Sequence, residues 1–300
     1  MKLRSKIFYT YVAFVAVYVL LALLPAPDKA TLTKYHLHAT GVRLLDVTVI
    51  IPILVMWFAI FYGYAKLSCY GSLIQNNQDG KQVARLASGL FVLAIGTPIV
   101  TIVSTLLTVA ARSHHSLTGA SVLIPDYLNI IIALIAFLFI NRAARGLNRI
   151  SRTTPGFMGS HGVVLLVIII GVVFCDLIAR SHANLRTTYH MSYNLVMLTF
   201  AIPYMYIWFL GLFAIAEMYA YSKQVPGILY RKAWNRLAIG LGAIIVISIL
   251  LQYLGTLSTW VSGLSLAKLL LLLYVLLLLL AGGFIVVALG TKDLMKIEEA

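Results

Sequence analysis

Charge is scarce in this chain. Only 11% of its 300 residues are Asp, Glu, Lys or Arg, where a soluble domain spends roughly a quarter of its residues that way. With 61% hydrophobic residues and a mean hydropathy of +0.96, the chain has too few polar groups to clothe a water-facing surface. A soluble fold is excluded, and no polar stretch is long enough for a separate domain outside a membrane. Cysteine is nearly absent as well. Cys69 and Cys175 fall near opposite ends of predicted spans, too far apart to bridge, so free thiols packed as small hydrophobes are expected. Acidic residues are few, nine against twenty-three basic, for a net charge of +14. That balance invites a nucleic-acid reading, which its distribution rejects. The basic residues lie in short segments between apolar runs, where orientation during membrane insertion accounts for them.

What is present is eight apolar runs, near 7–25, 44–66, 87–110, 125–141, 162–180, 193–221, 234–259 and 265–289. Each approaches the roughly twenty residues that cross a hydrocarbon core. Period-2 alternation of the barrel type is missing, so every crossing should be a helix, which satisfies its own backbone in lipid. The first run follows a basic "MKLRSK" but is longer than a signal h-region and lacks a small-x-small cleavage site. It reads as a membrane helix. With the N-terminus inside, sixteen of the twenty-three Lys and Arg residues fall on inner segments. The positive-inside rule therefore places both termini on the cytoplasmic side, as an even number of crossings requires. If the source is prokaryotic, the location is the cytoplasmic membrane.

"IPILVMWF" at 51–58 recurs as "IPYMYIWF" at 202–209, an interval of 151 residues. At that offset Pro52, Trp57, Phe58 and Tyr70 fall on Pro203, Trp208, Phe209 and Tyr221. Lys81, Arg85 and Gly89 fall on Lys232, Arg236 and Gly240. Coincidences of Pro, Trp, Lys and Arg are rare in membrane sequence. The expected fold is all-α, a polytopic bundle of eight transmembrane helices built as two parallel four-helix repeats, residues 1–150 and 151–300. Four crossings per unit insert both the same way up, related by a pseudo-twofold axis along the membrane normal. By position helix 1 should answer helix 5 and helix 4 helix 8, although those pairs show little identity.

Each proline removes a helical hydrogen bond and is expected to kink its helix. Each tryptophan lies too deep for the interfacial belt, so its indole N–H needs a partner inside the bundle. Pro52, Trp57, Pro203 and Trp208 are the candidate substrate pathway, two broken helices flanking a site at the repeat interface. Lys66 and Glu217 occupy equivalent positions with opposite charge. They are the candidate inter-repeat ion pair, with Arg85 and Arg236 as rival partners for the glutamate. Asp126, after Pro125, is placed at a helix start, where a carboxylate suits the dipole.

His36, His38, His114, His115, His182 and His190 are all predicted outside and are the donor type for Zn²⁺ or Cu²⁺, though no spacing among them is diagnostic. No histidine lies deep enough in a span for bis-imidazole haem ligation. Walker, dinucleotide, G-x-S-x-G and HExxH patterns are missing. No catalytic residue is assigned, the chain is not expected to be an enzyme, and no motif calls for a cofactor. The basic segment "RAARGLNRISR" (142–152) is expected to link the halves and to touch anionic lipid at the inner face.

The layout resembles that of small-solute carriers, and small-solute or ion transport at the repeat interface is the first reading. A non-catalytic scaffold or assembly subunit is the second, and an outer-face metal- or haem-binding protein or a membrane enzyme the third. A polar cavity between the halves favours transport; a dry, leucine-filled seam opposes it.

Overall fold

A computed structural model describes residues 2–23, 39–74, 78–113, 118–150, 171, 173, 192–260 and 266–299. Among the described residues the chain is helical almost throughout, with no strand. The helices are α1 (Lys2–Leu23), α2 (Ala39–Leu73), α3 (Gln78–Ser113), α4 (Thr118–Ile150), α5, α6 (Ile228–Trp260) and α7 (Leu266–Glu299). Helix α5 is composite: Tyr193–Val196, one π-helical stretch Met197–Ala201, then Ile202–Gln224. The six helices α2 to α7 are long and apolar enough to cross a membrane, so this is a multi-pass membrane protein. Helix α1 has 22 residues, with an apolar stretch at Lys6–Leu20. Of the predicted run at 162–180, Gly171 and Val173 are described, both helical.

The helices outlast their apolar runs. Helix α4 has 33 residues, about 50 Å at 1.5 Å per residue, well beyond a hydrocarbon core of about 30 Å. The segment expected to link the halves is therefore mostly helix, through Ile150. Its composition explains this. Arg142, Arg145 and Arg149 are exposed while Ala143, Ala144, Leu147 and Asn148 are buried, the three-to-four spacing of an amphipathic helix. Between α5 and α6 the chain turns tightly through Val225, Pro226 and Gly227. Gly227 takes φ +95°, a backbone conformation that favours a residue without a Cβ.

The six long helices close a ring. In order around it, α2 packs on α3, α3 on α4, α4 on α5, α5 on α6, α6 on α7, and α7 back on α2; α1 lies outside, against α2 and α3. Helices α2 and α5 therefore face one another across the ring. Two close approaches set its seams. A Cβ on Gly89 would lie 2.9 Å from the Ala136 carbonyl oxygen and 2.7 Å from Ile140, and one on Gly240 would lie 2.9 Å from the Gly283 carbonyl oxygen and 2.7 Å from Val287. Small residues at such points let membrane helices come together without a hydrophobic driving force.

Helices α4 and α5 run parallel. The Asn141 side-chain amide donates to the Leu210 carbonyl oxygen at 2.9 Å, and Asn148 donates to Glu217, each pair 69 residues apart. Ile150 and Ser192, where the described chain leaves and returns, therefore stand at opposite ends of this helix pair.

Candidate solute cavity

A cavity of about 330 Å³ lies inside the ring, lined by side chains from all six long helices, within the size range of small-molecule sites. Its polar wall comes from Thr97 and Thr101 on α3, Asp126 and Asn129 on α4, Tyr204 on α5 and Ser248 on α6. The hydroxyls of Thr97 and Thr101 donate back to the carbonyl oxygens of Leu93 and Thr97, at 2.8 and 2.9 Å. Their oxygen lone pairs stay free to accept. With the Asp126 carboxylate, that wall is richer in acceptors than in donors. Phe137, Phe284, Trp208 and Ile207 supply the apolar remainder.

The cavity does not run through to the helix ends where Lys81, Arg85, Arg145, Arg149, Lys232 and Arg236 gather. On α3 the lining stripe Leu93–Thr97–Thr101 continues toward that basic end as Leu90 and Leu86, and on α6 Ile244–Ser248 continues as Leu241 and Leu237. All four leucines are at most 2% exposed. Nearer the basic end, the Tyr221 hydroxyl of α5 donates to the Asp79 carboxylate of α3 at 3.3 Å, crossing the ring. The arrangement is a cavity with a closed leucine floor on the basic side.

Of the predicted pathway residues, Trp208 lines the cavity, while Pro52, Trp57 and Pro203 do not. Neither proline breaks its helix. Helix α2 continues through Pro52. Just ahead of Pro203, α5 widens into its π turn, where the Ile202 N–H donates to the Met197 carbonyl oxygen. A proline ring crowds the carbonyl four residues back, and the wider turn gives it room. Trp57 is fully buried beside Tyr18, ring centroids 5.2 Å apart, and its indole N–H has no hydrogen-bond partner among the described residues.

The expected Lys66–Glu217 ion pair is replaced by other contacts, because α2 and α5 sit across the ring. The Lys66 ammonium lies 5.7 Å from the Tyr62 ring centroid, a cation–π contact facing the groove between α1 and α2. Glu217 accepts from Asn148 at 2.5 Å. The two rival arginines are also engaged elsewhere: Arg85 donates to Gln82 at 3.0 Å, and Arg236 pairs with Asp293 of α7. Asp126 does not cap a helix start, since α4 begins at Thr118, two turns earlier.

His36, His38, His114, His115, His182 and His190 lie outside the described residues, as does Cys175. Among the described residues no group of three or more His, Cys, Asp or Glu is placed to hold a metal ion. Cys69 is a half-buried free thiol.

Sequence reasoning passed over Thr97, Asn129 and Ser248. Their signal was available: each is a polar residue on the same helical stripe as apolar wall residues. The chain matches no protein-family model, no curated protein and no solved structure.

Proposed function

We propose that this protein transports a small solute or ion through the central cavity, along the interface of two repeats formed by residues 1–150 and 151–300. One observation carries the reading. Six pairs of cavity-lining residues occupy corresponding positions in the two halves: Met56 and Ile207, Leu93 and Ile244, Thr97 and Ser248, Val100 and Leu251, Ala133 and Leu280, Phe137 and Phe284. The first four pairs keep the interval of 151 residues. The last two follow an interval of 147, and so do the helix contacts of Gly89 and Gly240, Ala136 matching Gly283 and Ile140 matching Val287. A site on the axis relating the halves is where parallel-repeat carriers hold their solute. The acceptor-rich wall suits a cation or a solute rich in hydrogen-bond donors.

The same reading gives eight crossings, with α1 as the first and a return crossing between parallel α4 and α5, for which the run at 162–180 has the length. It puts the basic end, with both termini, on the cytoplasmic side. The cavity then faces the other compartment, and transport requires the leucine floor to part.

The test uses Thr97→Cys and Ser248→Cys, made separately in a chain with Cys69 and Cys175 replaced by Ser and reconstituted in liposomes. A membrane-impermeant thiol reagent is expected to label both from the side opposite the basic end. Lys81→Cys and Lys232→Cys should be labelled from the cytoplasmic side. Protection of both cavity positions from either side would overturn transport and leave a closed scaffold.

A further inference from the structure

A second concavity, of about 500 Å³, lies between the last turns of α2 and the first turns of α3, away from the solute cavity. Tyr64, Ser68 and Ser72 line one wall; Lys81, Ser88 and Phe91 line the other. Lys81 is exposed and has no ion-pair partner among the described residues. The hydroxyls of Tyr64 and Ser68 likewise make no hydrogen bond there. Three unengaged donors thus converge at the basic end of the span, and the neighbouring carboxylate of Asp79 is turned away, toward Tyr221. Toward mid-span the groove becomes apolar along Phe91, whose ring lies tilted against Tyr64, centroids 5.1 Å apart, and is 46% exposed on the outer face of the bundle.

The corresponding place in the second half is filled by the protein itself. Ser68 and Ser72 correspond to Tyr219 and Lys223, whose side chains engage each other, the ammonium 4.5 Å from the ring centroid. Gly71 and Ala84 correspond to Ser222 and Asn235, joined by a hydrogen bond of 2.5 Å. In the first half these four positions are small, and the groove stays open.

We infer that this groove binds an anionic phospholipid of the surrounding leaflet, its phosphate at Lys81, Ser68 and Tyr64 and an acyl chain along Phe91. The inference is independent of the transport reading. An anion alone would use the donors and leave the apolar end bare; a zwitterionic lipid would bring its own cation against Lys81. Basic pockets between membrane helices take such headgroups.

The test is native mass spectrometry and thermal unfolding of the purified full-length protein in phosphatidylcholine nanodiscs, titrated with phosphatidylglycerol or with inorganic phosphate. Phosphatidylglycerol is expected to stay bound and raise the unfolding temperature, and phosphate to do neither. Lys81→Gln should weaken phosphatidylglycerol binding roughly fivefold. The pair Ser68→Tyr with Ser72→Lys, which copies the filled second half, should abolish it. Equal binding by wild type and Lys81→Gln, an exposed position whose change leaves the fold intact, overturns the proposal. So does inorganic phosphate giving the same shift with the same dependence on Lys81.

Discussion

Glu217 shows how a single partner decides the fate of a charge inside a bundle. An ionised side chain within a span costs a few kcal/mol unless it is met by polar groups, and the group that meets Glu217 is the Asn148 amide, itself approached by Gln224 at 3.5 Å. We predict that Asn148→Ala destabilises the protein by about 1–3 kcal/mol, the range for losing a hydrogen bond to a charged group. Lys66→Met should stay within about 0.5 kcal/mol, as surface changes away from such features do. Chemical unfolding in bicelles distinguishes the two. A large loss for Lys66→Met would restore the ion pair that matching positions suggested. Hydropathy and spacing mark both residues as unusual, but the pairing depends on where α4 stands, which neither reports.

At the scale of the helix, the seams α3–α4 and α6–α7 are set by glycines with no spare room. A Cβ at Gly240 would lie 2.7 Å from the Val287 backbone nitrogen, and backbone cannot swing aside as a side-chain tip can. Gly240→Ala is therefore expected to cost about 1–3 kcal/mol by overpacking. Gly282→Ala has nothing within 4 Å of the added carbon and should be neutral or slightly stabilising, since alanine is the better helix former. Thermal melts of the two variants check this, and equal losses would mean that helix propensity, not the seam, controls the effect. The prolines carry an opposite lesson. The crowding around Pro203 is visible in sequence, but its outcome is a widened turn and not a break: the helix after it is held by α4 and α6, and Phe200 in the turn meets Tyr127 of α4.

For the whole molecule, the proposed relation between the halves can be probed at the basic end. Arg236 finds its acceptor, Asp293, on the neighbouring helix α7. Arg85 finds its acceptor on its own helix, Gln82, which lies over Gly146; a Cβ there would be 2.3 Å from the Gln82 amide. Under the proposed repeat Gln82 corresponds to Ala233 and Gly146 to Asp293, and the two halves would satisfy the same arginine with the bulk exchanged between positions. We predict that Gly146→Asp alone destabilises by displacing Gln82. Adding Gln82→Ala should recover much of the loss, with a coupling energy of about 1–2 kcal/mol in a double-mutant cycle. Additive effects would argue against equivalent halves.

Membrane class, helical content and most of the crossings were legible in the sequence, because transfer from water to lipid sums over a stretch of residues whatever their neighbours. Six long helices answer to apolar runs read from composition alone. The proposed match of α4 to α7 runs at an interval of 147 residues, four fewer than 151, so one fixed interval slides the later pair out of register. At 147 residues Tyr127, Phe137 and Leu147 meet Tyr274, Phe284 and Leu294, while Arg145 and Arg149 meet Lys292 and Lys296. Only the folded chain places the close approaches at Gly89 and Gly240 that support this second interval of the proposed repeat. The same holds for the ring order, the cavity with its leucine floor, and the partners of Lys66 and Glu217. Each depends on which faces of separate helices meet, and an apolar helix exposed to lipid carries almost no amphipathic signal to say which face that is.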